Sequence, residues 1–422
     1  MEIEEIDLSD IEFWAEPPGR REEAFALLRA EQPRLFLPEP EIEDPQGLFP
    51  VGPGYWSLTK HADVVECSRR AADFCSGKGT NIIDMPVPFL DFFGSMINMD
   101  DPRHARMRRI VSRAFTPKVL DRMKADVETI AAEIVSDIAD RGECDFVTEV
   151  AALLPLRIIV DLMGIPRSQE QFIFDRTNTI LGFTDTEYVA DQEPMAITMA
   201  LVTAGQELAT LVRELAEERI ANPGDDLITA LVTADVEGEM LSPEELASFF
   251  ILLVAAGNET TRNAIAHGVQ ALSKHPEQRD LLVGDSDTHI AGAVEEIVRW
   301  ASPVMHFRRT VTHDGVRLGD QVFEEGDKVV LWYWSANRDE DVFDDPHRFD
   351  ITRTPNDHLG FGAPGPHFCL GAHLARREVT VALREVYRQL PDLTTVGEPE
   401  YLRSNFINGI KHLPVRFTPR PS

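Results

Sequence analysis

One cysteine, Cys369, stands in a segment whose composition could support chemistry. Residues 360–378 read Gly-Phe-Gly-Ala-Pro-Gly-Pro-His-Phe-Cys-Leu-Gly-Ala-His-Leu-Ala-Arg-Arg-Glu, so a loop rich in Gly and Pro leads into residues that favour a helix. Unpaired backbone N–H groups and the positive end of the helix dipole favour a thiolate at such a place. The segment therefore predicts a nucleophile or a metal ligand at Cys369.

The more common interpretation of an isolated cysteine is a small buried apolar side chain. That interpretation suits the other three cysteines, whose spacing predicts neither a disulfide framework nor a zinc site: Cys67, Cys75 and Cys144. The neighbours of Cys369 favour chemistry instead. Gly365 and Gly371 suggest a backbone that something bulky approaches closely, and His367 could donate a hydrogen bond to an anion there.

A second unusual stretch lies inside an apolar helix. Ser242 as N-cap, Pro243 at the first helical position and Glu245 completing a capping box predict a helix that begins here and continues to about Lys274. Its first turns are apolar on nearly every side, which predicts burial. Residues 256–261, Ala-Gly-Asn-Glu-Thr-Thr, interrupt that apolar pattern.

A glycine, an amide and an acid inside a buried helix are locally unfavourable. A helix kink without chemistry is one interpretation. The other is that Gly257 leaves room for a ligand, while Glu259 and Thr260 handle protons beside it.

Both stretches resemble those of the cytochrome P450 family. The resemblance implies that Cys369 is the axial thiolate of a haem iron, with haem b as the cofactor. Phe361 would pack on the haem, although it stands eight residues before the cysteine, where the family more commonly has seven. By the same resemblance, Ala256 and Gly257 lie against dioxygen, Thr260 supports its activation by hydrogen bonding, and Glu259 links it to a proton supply.

Two further sets of residues carry family roles by resemblance. One is a structural triad that supports the cysteine loop: Glu296, Arg299 and Arg348. The other set would bind the two haem propionates: His104, Arg108, Arg309 and His367. An exposed ion pair and a solvated basic face are the plainer interpretations of these two sets.

Apolar residues suggest a hydrophobic substrate pocket, although ordinary core is the alternative. Residues 85–99 are expected to form an apolar loop. The expected pocket residues are Phe89, Phe92, Phe93, Leu252, Leu253, Val304, Met305, Phe406 and Ile407.

Composition sets the wider limits. The chain has 422 residues and a formal net charge of −31, which argues against nucleic acid or an anionic membrane surface as partner. No signal peptide is expected, and the longest apolar run, residues 246–256, is too short to span a bilayer, so a soluble, cytoplasmic protein is expected.

The fold class expected is mainly α with a small β region, in a single domain over residues 1–422, as in the cytochrome P450 fold. Strands are expected at residues 50–59, 307–311, 316–323 and 328–334.

A basic patch lies within this acidic chain: residues 101–118 contain six Lys or Arg and one Asp. Such a patch suggests a specific acidic partner. The family resemblance makes that partner a ferredoxin, reduced by a separate ferredoxin reductase, because the chain has no flavin or nicotinamide motif. The expected docking residues are Arg103, Arg106, Arg109, Arg113 and Arg377.

The resulting hypothesis is a monooxygenase that uses O2 to hydroxylate an unactivated C–H bond of a hydrophobic small molecule. The chain looks most like actinobacterial family members acting on sterols and methyl-branched lipids, so a lipid, sterol or terpenoid is the first choice. Alternatives are a tailoring enzyme of polyketide metabolism, a peroxide-driven hydroxylase and a non-catalytic haem sensor or carrier.

Overall fold

The computed structural model describes residues 1–16, 18–40, 52–114, 117–234 and 238–420. Within them, helices dominate, and short 3-10 or π-helical turns lie at Ile3–Glu5, Ser95–Asn98, Val147–Ala151 and Arg167–Gln169. The α-helices are α1 (Ile11–Ala15), α2 (Pro18–Glu31), α3 (His61–Arg69), α4 (Val87–Gly94), α5 (Arg103–Ala114), α6 (Pro117–Ser136), α7 (Leu153–Met163), α8 (Glu170–Leu181), α9 (Pro194–Ala221), α10 (Leu227–Thr233), α11 (Pro243–Lys274), α12 (Pro276–Gly284), α13 (Ser286–Ala301), α14 (Tyr333–Ala336) and α15 (Ala372–Gln389).

The strands form small sheets beside the helical body. They are β1 (Arg34–Leu37), β2 (Tyr55–Leu58), β3 (Phe74–Cys75), β4 (Glu143–Asp145), β5 (His306–Val311), β6 (Val316–Leu318), β7 (Gln321–Phe323), β8 (Lys328–Trp332), β9 (Thr394–Thr395), β10 (Glu400–Tyr401), β11 (Ile410–His412) and β12 (Pro414–Arg416). The largest described sheet has the order β1-β2-β8-β5-β3, with β2 and β8 parallel and the other neighbours antiparallel. The expectation of a mainly α fold with a small β region is confirmed.

Helix α11 is the centre of the main hydrophobic core. It is 32 residues long, and Ser242 caps it with both hydrogen bonds of the capping box to Glu245, as the sequence predicts. It packs against α7, α8, α9, α13 and α15, and most of its side chains are buried. A second core joins the N-terminal helices to the large sheet, where Trp14 stacks on Trp332 with ring centroids 5.3 Å apart.

Three expectations about local structure need correction. The 85–99 stretch forms α4 and a 3-10 turn instead of a loop, because Pro88 sits at the start of a helix, where its missing N–H costs nothing. The 316–323 stretch is a hairpin, since Gly319 takes a φ of 60° between β6 and β7. The 328–334 strand ends at Trp332 and continues as α14. Of the strand at 50–59, Tyr55–Leu58 is confirmed and residues 50 and 51 lie outside the described ones.

Helix α9 is the one described helix whose length and composition would let it cross a membrane, with a mean hydropathy of 1.4 over its most apolar window. Its buried residues Leu201, Ala204, Leu208 and Val212 recur every three or four positions. That spacing makes one face of α9, and the helix packs against α8, α10 and α11. The pattern is typical of a helix that covers a protein core.

Candidate active site

The cysteine loop is held by its own backbone. The N–H of Cys369 donates to the carbonyl of Phe361 over 3.0 Å. This hydrogen bond closes the loop, which is one residue longer than the common family spacing. Gly362 has a φ of 85°, a left-handed conformation that favours glycine. Cys369 comes three residues before α15 begins, and it is exposed, whereas the other three cysteines are buried.

The thiol of Cys369 is exposed, yet protein atoms surround it closely enough to affect its ionisation. Although the side chain itself is uncovered, burial by the surrounding chain raises its pKa; the Gly371 N–H and the guanidinium groups of Arg108 and Arg376 act in the opposite direction without outweighing it. The helix start thus favours the thiolate, as expected, but burial acts more strongly on the unligated thiol. A cation that coordinates the sulfur would deprotonate it, as metal ligation of a thiol does generally.

One face of α11 is open in the middle of an otherwise buried helix. Ala256 is exposed, and Leu252, Leu253, Gly257 and Thr260 are partly exposed. At 3.6 residues per turn these five positions share one side of the helix. The Thr260 hydroxyl donates to the Ala256 carbonyl over 2.7 Å, so a hydroxyl oxygen stands on an apolar surface.

Two glycines in the motifs have packing roles that the sequence reasoning missed. A Cβ on Gly257 would lie 2.6 Å from Ile159 Cδ1, so this glycine lets α7 approach α11. A Cβ on Gly365 would lie 2.4 Å from the Ser68 carbonyl, so this glycine admits the end of α3. Neighbouring protein atoms therefore already favour a glycine at both positions. At Gly371, in contrast, a Cβ would meet nothing within 4 Å.

The expected propionate-binding residues converge. The rings of His104 and His367 lie 4.3 Å apart, and the pKa of His367 is lowered to about 2 by burial and by Arg309, His104 and Arg108. Burial and Arg108 also lower the pKa of His104. His104 Nε2 is buried without a partner, and within the described residues Arg309 donates to the Arg308 carbonyl and makes no ion pair. A free imidazole nitrogen on His104 and a guanidinium without an ion pair on Arg309 suit carboxylate ligands.

The triad contains a different second arginine from the one expected. Arg299 forms a fork with Glu296, at 2.7 Å for both contacts, and both side chains are fully buried. The second guanidinium on Glu296 belongs to Arg353, 3.2 Å away. Arg348 is wrong as the third member: its side chain is 61% exposed and lies 3.4 Å from Asp350, and only its backbone carbonyl contacts the cluster.

A second brace, centred on Glu295, was missed. Burial alone would raise the pKa of Glu295, but hydrogen bonds from His358 at 2.9 Å and Arg376 at 2.6 Å outweigh it and lower the pKa to about 2. The Arg376 guanidinium also lies 4.2 Å from the ring centroid of Phe361. This network ties α13 to the cysteine loop. The adjacent acid pair Glu295–Glu296 was the available signal in the sequence.

The expected pocket residues divide into partly open and closed ones. Phe89, Phe92, Phe93, Leu252, Leu253, Val304 and Phe406 keep partial exposure. Phe92 and Phe93 also pack against α9 at Gly205, where a Cβ would lie 2.4 Å from Phe92. Met305 and Ile407 are wrong as lining residues, because their exposures are 0% and 1% and they belong to packed structure.

Most of the expected docking arginines have partners within the chain. Arg106 is held by Glu245 at 2.8 Å and by the Met240 carbonyl, so it ties α5 to the start of α11. The other paired arginines are Arg103 with Asp91, Arg109 with Glu239, and Arg377 with Glu128. Arg113 is exposed. The patch is therefore less positive than its composition suggests.

The observed residues fit a haem. Cys369 is uncovered, His104 Nε2 and the Arg309 guanidinium have no carboxylate partner among the described residues, and the α11 face is open in mid-helix. Cys369 would hold the iron, and His104, Arg108, Arg309 and His367 would hold the propionates. Bound there, the group would supply a thiolate-ligated iron able to activate dioxygen.

Comparison with known proteins agrees with this assignment. The family model for cytochrome P450 matches residues 90–390. A methyl-branched lipid omega-hydroxylase of Mycobacterium bovis is 50% identical over 419 residues, covering 99% of this chain and 95% of that protein. A steroid C26-monooxygenase of Rhodococcus jostii is 40% identical, covering 98% of this chain and 85% of that protein.

Among solved structures, a Mycobacterium marinum cytochrome P450 in complex with pseudoionone has a TM-score of 0.91 at 42% identity, covering 98% of both chains. This similarity extends well beyond the cysteine motif to the whole arrangement of helices and sheets. The chain belongs to the cytochrome P450 family and is a haem-thiolate monooxygenase that acts on hydrophobic molecules.

Proposed function

We propose that this enzyme hydroxylates an unactivated C–H bond near the end of a methyl-branched aliphatic chain, as part of a lipid or of a steroid side chain. The open face of α11 carries the proposal: Leu252, Leu253, Ala256 and Thr260 present apolar atoms and a single hydroxyl, without a charged group. Such a surface can bind an aliphatic chain but offers no partner for a charged or sugar-bearing region. The names of the two relatives, which specify an omega position and C26, point to the same class.

The reaction needs protons as well as electrons. One substrate C–H group, one O2, two electrons and two protons give one alcohol and one water. Thr260 has an oxygen on the open face that can accept a hydrogen bond while its own O–H donates to the Ala256 carbonyl. Glu259, the preceding residue, is buried and is the acid nearest to Thr260 in the chain, so it is the proposed source of protons.

The remaining assignments belong to the same proposal. Haem b is the cofactor, since the donors around His104 suit two free propionates. A ferredoxin and its reductase supply the electrons, the protein is cytoplasmic, and residues 1–422 make one domain.

Thr260→Ala is expected to separate oxygen consumption from product formation. With its hydroxyl gone, product per O2 should fall at least about tenfold while peroxide release rises, because the open face loses its one hydrogen-bonding oxygen beside the proposed proton source. Thr210→Ala is the matched control, since Thr210 makes the same bond to a carbonyl four residues earlier but on the exposed surface of α9. Unchanged coupling in Thr260→Ala would contradict the proposed role.

Substrate class is tested by titrating the haem protein and following water displacement from the iron. A methyl-branched fatty acid and a steroid with an intact side chain should bind more tightly than a straight-chain fatty acid or a macrolide. Preferential binding of the macrolide would support polyketide tailoring instead. Turnover with peroxide alone at the ferredoxin-driven rate would support the peroxide-driven alternative, and absence of any product would support a sensor.

The ferredoxin site is tested by charge reversal. Arg109→Glu with Arg113→Glu is expected to slow haem reduction by ferredoxin and to weaken its salt dependence, while substrate affinity stays unchanged. Arg106 is left intact because it anchors α5 to α11. Arg384→Glu with Arg388→Glu is the control, because these are exposed, ion-paired arginines on α15 outside the patch. Equal slowing in both double variants would contradict a specific site.

A further inference from the structure

Glu259 lies in a buried network that the motif does not specify. It is 1% exposed, and its Oε1 accepts hydrogen bonds from Arg262, one turn later in α11, and from Asn263 Nδ2 at 3.0 Å. Arg262 is 2% exposed, so the pair is removed from water. Asn263 is itself fixed, because its Oδ1 accepts from the Ile410 N–H over 3.1 Å.

The carboxylate is held asymmetrically. Arg262 and Asn263 both donate to Oε1, whereas Oε2 is buried and without a hydrogen-bond partner. A buried carboxylate oxygen without a partner is costly and calls for an explanation. The position of Glu259 on the helix explains it. At 3.6 residues per turn, Glu259 lies at the edge of the open face that carries Ala256 and Thr260. Oε2 is thus the oxygen left to exchange a proton.

Arg262 also joins α11 to another helix. Its Nη1 donates to Asn178 Oδ1 over 2.9 Å, and its guanidinium lies 5.8 Å from the ring centroid of Phe174. Both partners are on α8, and Asn178 is 5% exposed. Arg262, which binds Glu259, is therefore itself bound by α8. A shift of α8 relative to α11 would change the hydrogen bonding between Arg262 and the Glu259 carboxylate.

We propose that Arg262 is a positioning residue for proton delivery: it fixes Glu259 through Oε1, leaves Oε2 free at the edge of the α11 face, and makes this arrangement depend on the contact between α8 and α11. The inference rests on the proposed function, in which Glu259 supplies protons. Arg262 touches neither substrate nor reacting atoms and acts through Glu259. The coupling of oxygen consumption to hydroxylation then depends on the position of α8 relative to α11.

The main test compares Arg262→Met with Arg176→Met. Arg176 is on α8, pairs with Glu207 and lies 5.0 Å from the Phe172 ring centroid, so it matches Arg262 in chemistry but is partly exposed. In Arg262→Met, product per O2 is expected to fall about tenfold with rising peroxide release, and the solvent deuterium isotope effect on product formation is expected to increase. Substrate affinity should stay within about twofold, since no substrate contact is removed. Arg176→Met should resemble the wild type in all three.

A readout apart from turnover is amide hydrogen exchange in α8 around residues 174–181. Arg262→Met should speed exchange there and Arg176→Met should not, because only the former breaks the link to Asn178. Asn178→Ala is the milder variant should Arg262→Met fold poorly: it leaves the Glu259–Arg262 pair in place and should give a smaller change in the same direction. Arg262→Lys, which keeps the charge but cannot serve both partners, should rescue coupling only in part.

Two results would overturn the inference. One is unchanged coupling and unchanged isotope effect in both Arg262→Met and Asn178→Ala. The other is lower peroxide release in Arg262→Met, which would mean that Arg262 withholds the acid. Failure of the proposed function looks different: wild-type protein would form no alcohol from any lipid or steroid, while hydrogen exchange in α8 would still report whether Arg262 links the two helices.

Discussion

Cys369→Ser is expected to abolish monooxygenase activity and to remove the red-shifted absorption that reduced, thiolate-ligated haem shows with carbon monoxide. Serine preserves the size of the side chain and the loop bond between the Cys369 N–H and Phe361. It replaces a soft sulfur ligand by a hydroxyl that keeps its proton, so the electron donation that assists O–O cleavage is lost. The measurement is the carbon monoxide difference spectrum of the reduced holoprotein, followed by product formation.

The other cysteines provide matched controls, because none can replace Cys369. Burial raises the pKa of Cys67 and Cys75, and it raises the pKa of Cys144 to about 12. Cys144→Ala should therefore leave the spectrum and the activity unchanged. Retention of the red-shifted band in Cys369→Ser would show that the thiolate ligand has been assigned to the wrong residue.

Features that arise from neighbours in the chain were predictable from the sequence. Ser242, Pro243 and Glu245 specify the start of α11 through hydrogen bonds made within one turn. The loop before Cys369 and the helix after it follow from Gly and Pro composition in the same way. The polar residues of the 256–261 stretch were conspicuous because their surroundings in the sequence are apolar.

Features that arise from distant contacts were not predictable. Gly257 and Gly365 are expected to make room for a ligand, and the atoms closest to them belong to Ile159 and Ser68, which lie 98 and 297 positions earlier in the chain. The docking arginines looked unpaired because Glu239 and Glu245, the partners of Arg106, lie more than a hundred residues later. Composition gives the charge of a segment, whereas the partners of that charge depend on tertiary structure.

Which arginine, Arg348 or Arg353, contacts Glu296 also depends on tertiary structure and could not be predicted from the sequence. The difference can be tested directly. Both lie in an irregular segment after α14, where no periodicity indicates which side chain turns inward. The structure directs Arg353 into the cluster, where it also donates to three carbonyls, those of Asp344, Asp345 and Arg348. Arg348 contributes only its backbone carbonyl to that arrangement.

Arg299→Met is expected to lower the free energy of unfolding by about 3–5 kcal/mol, because it leaves Glu296 ionised and fully buried without its main partner. That is a large part of the roughly 5–15 kcal/mol that stabilises a typical protein. Arg353→Met should cost about 2–3 kcal/mol, since charged hydrogen bonds to Glu296 and to carbonyls are lost. Arg348→Met should change stability by no more than about 1 kcal/mol, as expected of an exposed ion pair.

The three variants are compared by denaturant unfolding of the same haem-loaded preparation, with the carbon monoxide spectrum as a second readout. Loss of the buried fork should loosen α13 against the segment that leads to the cysteine loop, so Arg299→Met should also lose the red-shifted band at lower denaturant concentrations. Arg348→Met serves as the matched control, since it removes a guanidinium from the same segment while its carbonyl continues to accept from Arg353. If Arg348→Met proved as destabilising as Arg353→Met, the triad expected from the sequence would be correct and the contact between Arg353 and Glu296 would not be the stabilising one.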